Sequence, residues 1–287
     1  MRILVATDLS DGSDLALREA KSCAHSKEDT FAVLHLVPAL PSVHMLFPRA
    51  YAKQAAALQT LLARARDLLR ERVARTLGSG VDIFVAAGSD YAEVVRRAEL
   101  WKADRVVISS RGTSGFARVL GDVADRVVRS AGCSVLVVRQ PSVAGPVLVA
   151  TDLSSASLPA VVQGAEEARR REASLIVVHA IGFLDIEAAH LLKGDIGNLA
   201  PSAFEVSQHA LVTVVRKLNV EATCRVLERP AAAAILREAE TVRAQLVVVG
   251  AHRRGAPWRW ATGRVMERVL HVARSSVLVA KAPRANA

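Results

Sequence analysis

The chain has 287 residues, 51% of them apolar and 23% charged, which supplies ample material for packed cores and argues against a disordered polymer. Its net charge of +10 is spread along the chain without a basic tail, and only 4% of residues are aromatic, so a nucleic-acid surface with stacking side chains is not expected. Cys23, Cys133 and Cys224 form no CxxC pair, which argues against a disulfide framework or a zinc site.

No apolar run approaches the roughly 20 residues that a membrane helix needs. The opening Met-Arg-Ile-Leu-Val-Ala-Thr-Asp reaches an acid at Asp8, so a secretory leader is not expected either. A soluble, cytoplasmic protein is the expectation.

In chain order, a β-branched strand is predicted at Ile3–Thr7, followed by a helix that Ser10 and Ser13 are placed to cap and that runs to about Ser26. Phe31–Val37 predicts the second strand. A long helix follows over Tyr51–Leu77, with Leu58, Leu61, Leu62, Ala65, Leu68 and Leu69 as its apolar stripe. The third strand is expected at Val81–Ala86 and a helix at Tyr91–Trp101. The fourth strand, Val106–Ile108, leads through a glycine- and arginine-bearing loop to a helix striped by Val123, Val127, Val128 and Ala131. Ser134–Val138 is the fifth strand.

The second half repeats the plan, with strands expected at Val147–Ala150, Leu175–Ala180, Val220–Leu227, Leu246–Gly250 and Val277–Ala280. Its long helix is predicted to open at Pro201-Ser202, where Ser202 and Glu205 have capping-box spacing. Its last helix is striped by Val265, Val269, Leu270 and Ala273.

Internal repetition is the main organising fact. Ile3–Ser10 recurs as Val147–Ser154 with seven identities in eight, and His35 recurs as His179 at the same spacing. From Gly121 and from Gly263, eighteen residues align without a gap and nine are identical. Two domains follow, 1–140 and 146–282, joined by 141–145 and ending in a tail at 283–287. Strands separated by helices imply an α/β fold, two tandem doubly wound, Rossmann-like domains, each with a five-stranded parallel sheet. With strand order 3-2-1-4-5, a ligand crevice lies beyond the carboxyl ends of the first and fourth strands. Asp8 and the Ser109–Gly112 loop converge there, as do Asp152 and the loop after Gly250.

These residues carry a family resemblance. The Ala-Thr-Asp-Leu-Ser opening, the histidine ending the second strand, Ala87-Gly88-Ser89 and the closing Gly-x-Val…Arg-Val…Ser-Val-Leu-Val resemble the universal stress protein family, in its tandem form, over essentially the whole chain. The resemblance implies the adenine nucleotide α-hydrolase-like variant of the fold and ATP or a related adenine nucleotide, with Mg2+, as ligand. It implies an aspartate that recognises adenosine and loop glycines with a Ser/Thr that hold phosphates. Carried over, it points to Thr7, Asp8, Leu36, Ser109, Gly112, Gly121 and Asp122 in the first half. In the second it points to Thr151, Asp152, Ala180, Gly250, Arg253, Gly263 and Arg264. It further implies intramolecular pairing of the two domains through their last strands, or a homodimer.

The loops depart from the family pattern G-x2-G-x9-G-[S/T]. In the first copy Ser109 stands for the first glycine, the spacing from Gly112 to Gly121 is one residue short, and Asp122 replaces the Ser/Thr. In the second, Arg253 replaces the second glycine and Arg264 the Ser/Thr, while Arg254, Arg259 and Arg268 crowd the same region. A carboxylate repels triphosphate unless a cation intervenes, whereas arginine binds phosphate by charge-assisted, bidentate hydrogen bonds.

Other readings stay open. His35 and His179 could assist a ligand or be satisfied structural residues, Asp8 and Asp152 could cap the first helices, and Trp258 and Trp260 could stack on a base or pack locally. No G-x-S-x-G, HExxH or carboxylate cluster occurs, and Ser10, Ser13, Ser154 and Ser155 lack a base in the sequence, so catalysis is not indicated. The alternatives to a nucleotide-binding module are a nucleotide-independent scaffold for a partner protein and, on fold analogy alone, an enzyme acting on an adenylated substrate.

Overall fold

The computed structural model describes residues 1–24, 28–38, 48–88, 91–110, 120–139, 144–182, 199–251 and 264–282. Two compact units result, Met1–Val138 and Arg139–Ala287. Among the described residues the first holds β1 (Arg2–Thr7), α1 (Asp11–Ser22), β2 (Thr30–Val37), α2 (Pro48–Thr76), β3 (Asp82–Ala87), α3 (Tyr91–Leu100), β4 (Arg105–Ser109), α4 (Asp122–Ser130) and β5 (Ser134–Val138). The second holds β6 (Val147–Ala150), α5 (Leu158–Arg170), β7 (Leu175–Ile181), α6 (Leu199–Lys217), β8 (Thr223–Glu228), α7 (Ala231–Thr241), β9 (Leu246–Gly250), α8 (Arg264–Val272) and β10 (Ser276–Ala280).

Each unit is a parallel five-stranded sheet. The first runs β3-β2-β1-β4-β5, and the second reads β8-β7-β6-β9-β10 from the matching edge. The central strands are buried on both faces: Ile3, Leu4 and Val5 are fully buried, as are Val147, Leu148 and Val149. That is why their sequences read as unbroken apolar runs rather than alternating ones. α1 packs with α2, α3 with α4 and α7 with α8, giving helix layers on the sheets.

Helix faces are where the structure corrects the expected stripes. In α4 the buried residues are Ala124, Val127 and Val128, continued by Ala131, and Val123 is exposed. In α8 they are Met266, Val269 and Leu270, continued by Ala273, with Val265 exposed. The real face follows i, i+3, i+4, i+7, one residue on from the predicted start. In α2, Ala65, Leu69 and Val73 are buried while Leu61 and Leu68 face solvent, because only one side of this helix meets β2 and β3.

Boundaries also move. The first helix stops at Ser22 rather than near Ser26, and β8 starts at Thr223 rather than Val220. α6 begins at Leu199, which places Ser202 inside the helix instead of at its N-cap. α1 starts at Asp11, capped by the Ser10 hydroxyl, which accepts from the Ser13 amide. The corresponding α5 starts later, at Leu158, with proline in its first turn. Pro159 has no N–H to close a turn onto Ser155, so α5 cannot begin at Ser155, the counterpart of Asp11 in α1.

Candidate functional site

The turn from the first strand to the first helix is built the same way in both units. Leu9 and Leu153 adopt left-handed backbone, with φ of 63° and 64°. This region costs a branched side chain about 1–2 kcal/mol, so something must hold it there. A chain of hydroxyls does. In the first unit the Leu9 amide donates to Thr7 Oγ1 (3.1 Å), Thr7 Oγ1 donates to Ser13 Oγ (2.7 Å), and Ser13 Oγ donates to the Ser10 carbonyl (2.8 Å). In the second, Leu153 N to Thr151 Oγ1 is 3.0 Å, Thr151 Oγ1 to Ser157 Oγ is 2.8 Å, and Ser157 Oγ to the Ser154 carbonyl is 2.9 Å. A carbonyl can only accept, so the Ser157 proton is spent there and Thr151 must be the donor to Ser157.

Each threonine also presents its carbonyl to a histidine: His35 Nδ1 lies 2.9 Å from Thr7 O, and His179 Nδ1 2.9 Å from Thr151 O. A carbonyl can only accept, so both Nδ1 atoms carry a proton and donate. His35 faces Thr7 directly across the β1–β2 ladder, and Leu36 and Ala180, each the next residue, are half-buried.

The product of this bracing is an exposed carboxylate at the end of the central strand. Asp8 Oδ1 accepts from the Ser10 amide (3.0 Å) and hydroxyl (2.5 Å), and Asp152 Oδ1 from those of Ser154 (3.0 and 2.6 Å). These bonds run to the residue two places on, an Asx turn, so neither aspartate is the helix cap considered from sequence. In the first unit Arg72 of α2 donates to the Leu9 carbonyl and sits 3.3 Å from Asp14, clamping the turn from outside.

β1 lies between β2 and β4, so the order in which strands are added reverses around it. Asp8 and Ser109 thus stand at the carboxyl ends of neighbouring strands, as do Asp152 and Gly250 around β6, the place where sheets of this order hold ligands. Ser109 is half-buried, and beyond it the Ser110 amide donates to Val138 O and its carbonyl accepts from the Gly121 amide (3.1 Å), tying down both ends of the intervening loop. The second unit repeats the first bond as Ala251 N to Ala280 O, 2.9 Å. Gly250 is needed for closeness: a Cβ there would stand 3.3 Å from Ser157 Cα.

The helices that follow these strands open with different charge. α4 opens with Asp122 and Asp125, and Asp122, on the surface, pairs with Arg126 at 3.1 Å. α8 opens with exposed Arg264. A helix N-terminus already favours anions; Arg264 adds to that field in the second unit, offset in part by Glu267 of the same turn, and Asp122 and Asp125 oppose it in the first. Gly112, Arg253 and Gly263 lie outside the described residues, as do Arg254, Arg259, Trp258 and Trp260. Among the described residues no group of His, Cys, Asp and Glu could hold a metal, and no helix is long and apolar enough to cross a membrane.

The hydroxyl chain and the left-handed leucines were not foreseen in the sequence. Their one signal was repetition: Thr7, Ser13 and His35 recur as Thr151, Ser157 and His179 at a single spacing.

A sequence profile of the universal stress protein family matches residues 1–139 and again 144–281. A universal stress protein of Mycobacterium tuberculosis is 35% identical over 189 residues, covering 63% of this chain and 62% of that protein. The match thus spans less than two thirds of that relative. One from Mycolicibacterium smegmatis is 27% identical over 300 residues, covering 97% of this chain and 96% of its own length. The crystal structure of a universal stress protein from Archaeoglobus fulgidus superposes with a TM-score of 0.66 at 19% identity, covering 98% of each chain; that likeness speaks to the fold. With both halves matched by the profile, the chain belongs to the universal stress protein family as a tandem, two-domain member.

Proposed function

We propose that the chain is a nucleotide-responsive binding module that takes ATP or a related adenine nucleotide at the carboxyl-end crevice of at least one unit. The observation that carries this reading is the duplicated Asx turn, which spends a strained leucine and three hydroxyl-mediated bonds to hold Asp8 and Asp152 at the sheet's reversal point. A carboxylate held there accepts hydrogen bonds from the hydroxyl groups of a nucleoside. The second unit is the phosphate-bearing one, because Arg264 stands where the first unit has Asp122. Nucleotide in the first unit would need Mg2+ to offset that acid. The hydroxyls of the turn are committed to structural bonds, those of Ser10 and Ser154 to the Asp8 and Asp152 carboxylates, which favours a module that binds rather than reacts.

Calorimetric titration of the full chain with ATP, with and without Mg2+, tests this together with Asp8→Ala and Asp152→Ala. Binding that survives Asp8→Ala and is lost in Asp152→Ala is the expected result. No heat and no thermal shift at millimolar ATP would overturn the proposal and leave the second reading, a scaffold for a partner protein, which the departures at Ser109 and Asp122 favour.

A further inference from the structure

The outer edges of the two sheets are not equivalent. β3 and β8 occupy matching places, and so do α3 and α7, whose buried Val94 and Ala98 correspond to Ile235 and Ala239. Three positions on this edge change together between units. In the first, the Arg97 guanidinium lies 4.3 Å from the centroid of the Phe84 ring, covering the strand. Beside it Glu93 holds Arg96 by two bonds of 2.7 Å. In the second, Phe84 is replaced by Arg225 and Arg97 by Glu238, and these two form an ion pair with each other. Glu93 is replaced by Ala234, so Arg237, at the position of Arg96, has lost its acid.

The small alanine also opens space. A groove of about 510 Å3 runs beside β8 between α6 and α7, lined by Phe204, Leu227, Arg229, Ala234, Arg237 and Thr241. Arg229 and Arg237 are exposed and have no ion-pair partner among the described residues. Glu238 is spent on Arg225, which leaves Glu228 as the single acid set against two uncommitted arginines. β8 ends the strand order and pairs only with β7 among the described strands, so its outer row of N–H and C=O groups has no ladder partner.

We infer that this edge of the second unit is a docking site for an extended, acidic segment of a partner protein, which adds as a strand along β8. The unpaired strand edge calls for a peptide backbone. The two guanidinium groups call for carboxylates on alternate side chains, held by charge-assisted hydrogen bonds. Phe204 and Leu227 supply an apolar wall for a side chain between them. The first unit carries no such site, because Arg97 lies over its strand and Glu93 neutralises its arginine.

The test is fluorescence anisotropy of the full chain with a short labelled peptide of alternating Glu and Val. A Lys/Val peptide of equal length serves as one control, and a Glu/Val peptide interrupted by proline, which cannot join a ladder, as another. The Glu/Val peptide should bind, and both controls should bind at least roughly tenfold more weakly. Ala234→Glu, which rebuilds the first unit's arrangement, and the surface change Arg237→Glu should each weaken binding roughly tenfold or more. Neither change should alter the ATP titration. Three results would overturn the inference: no binding at millimolar peptide, equal binding of the proline-interrupted peptide, or indifference to Arg237→Glu.

Discussion

Glu167 offers a direct test of how this fold pays for buried charge. It lies in α5 with its side chain fully buried, 2.6 Å from Arg170 Nη1 and 3.2 Å from Arg171 Nε, and those arginine side chains are only 5% and 4% exposed. Glu167→Gln keeps the shape, opens no cavity and removes the charge that both guanidinium groups share. Arg170 keeps Glu166 at 3.7 Å, and Arg171 keeps the Gln245 amide oxygen at 3.4 Å. Both buried guanidinium groups therefore lose the counter-ion they share. Removing one member of such a group costs about 3–5 kcal/mol, because the remaining charge stays desolvated. At an m-value of about 2 kcal/mol/M this is a fall of about 1.5–2.5 M in the urea midpoint. Urea unfolding followed by circular dichroism reads the loss, and amide exchange in α5 assigns it to the second unit. The first unit packs Cys23, fully buried, at the corresponding position, so the site does not need an ion. Accordingly, Glu167→Leu combined with Arg170→Leu and Arg171→Leu should stay within about 1 kcal/mol of wild type or exceed it. A loss below about 1 kcal/mol for Glu167→Gln alone would refute the reasoning and mean that water reaches the group.

Two further outcomes follow from contacts. Gly164 of α5 packs so tightly on β6 that a Cβ would meet Val149 Cγ2 at 2.2 Å. Gly164→Ala should therefore destabilise by about 1–2 kcal/mol in urea unfolding, overpacking outweighing the usual helix gain of about 1 kcal/mol; a more stable variant would show that α5 shifts freely. Hydrogen bonds from Arg96 hold the Glu93 carboxyl below its ordinary range against burial, which raises it, and the charges of Arg96 and Arg97 add smaller lowering contributions. A depressed carboxyl pKa contributes stability above the unfolded-state pKa and loses it as pH falls through the folded one. Melting curves of wild type and Glu93→Gln should therefore differ slightly at neutral pH and converge as pH falls through the folded-state value of the Glu93 carboxyl; a gap that persists in acid would contradict this.

Much of the fold was legible because a buried parallel strand needs an apolar run and a glycine or proline nearby to end it. Val147–Ala150, Leu246–Gly250 and Ser134–Val138 were placed to the residue for that reason. Repetition then carried the two-unit plan, and with it the position of Asp8 and Asp152 at the ends of the central strands. Helix faces were less legible. Val123 and Ala124 both fit an apolar stripe, and only the direction from which the sheet approaches α4 buries the smaller one.

What the residues determined by themselves was the order of elements, their duplication and the polar residues that recur within apolar surroundings. Tertiary structure decided how those residues are spent. No local rule predicts leucine at positive φ; Leu9 and Leu153 are held there by a threonine hydroxyl two residues back, itself bonded to a serine four residues on, and that threonine's carbonyl meets a histidine on the neighbouring strand. Likewise Phe84 with Arg97, and Arg225 with Glu238, are alternative solutions to one contact. They lie 13 residues apart in sequence, and only the pairing of strand and helix in space makes them partners.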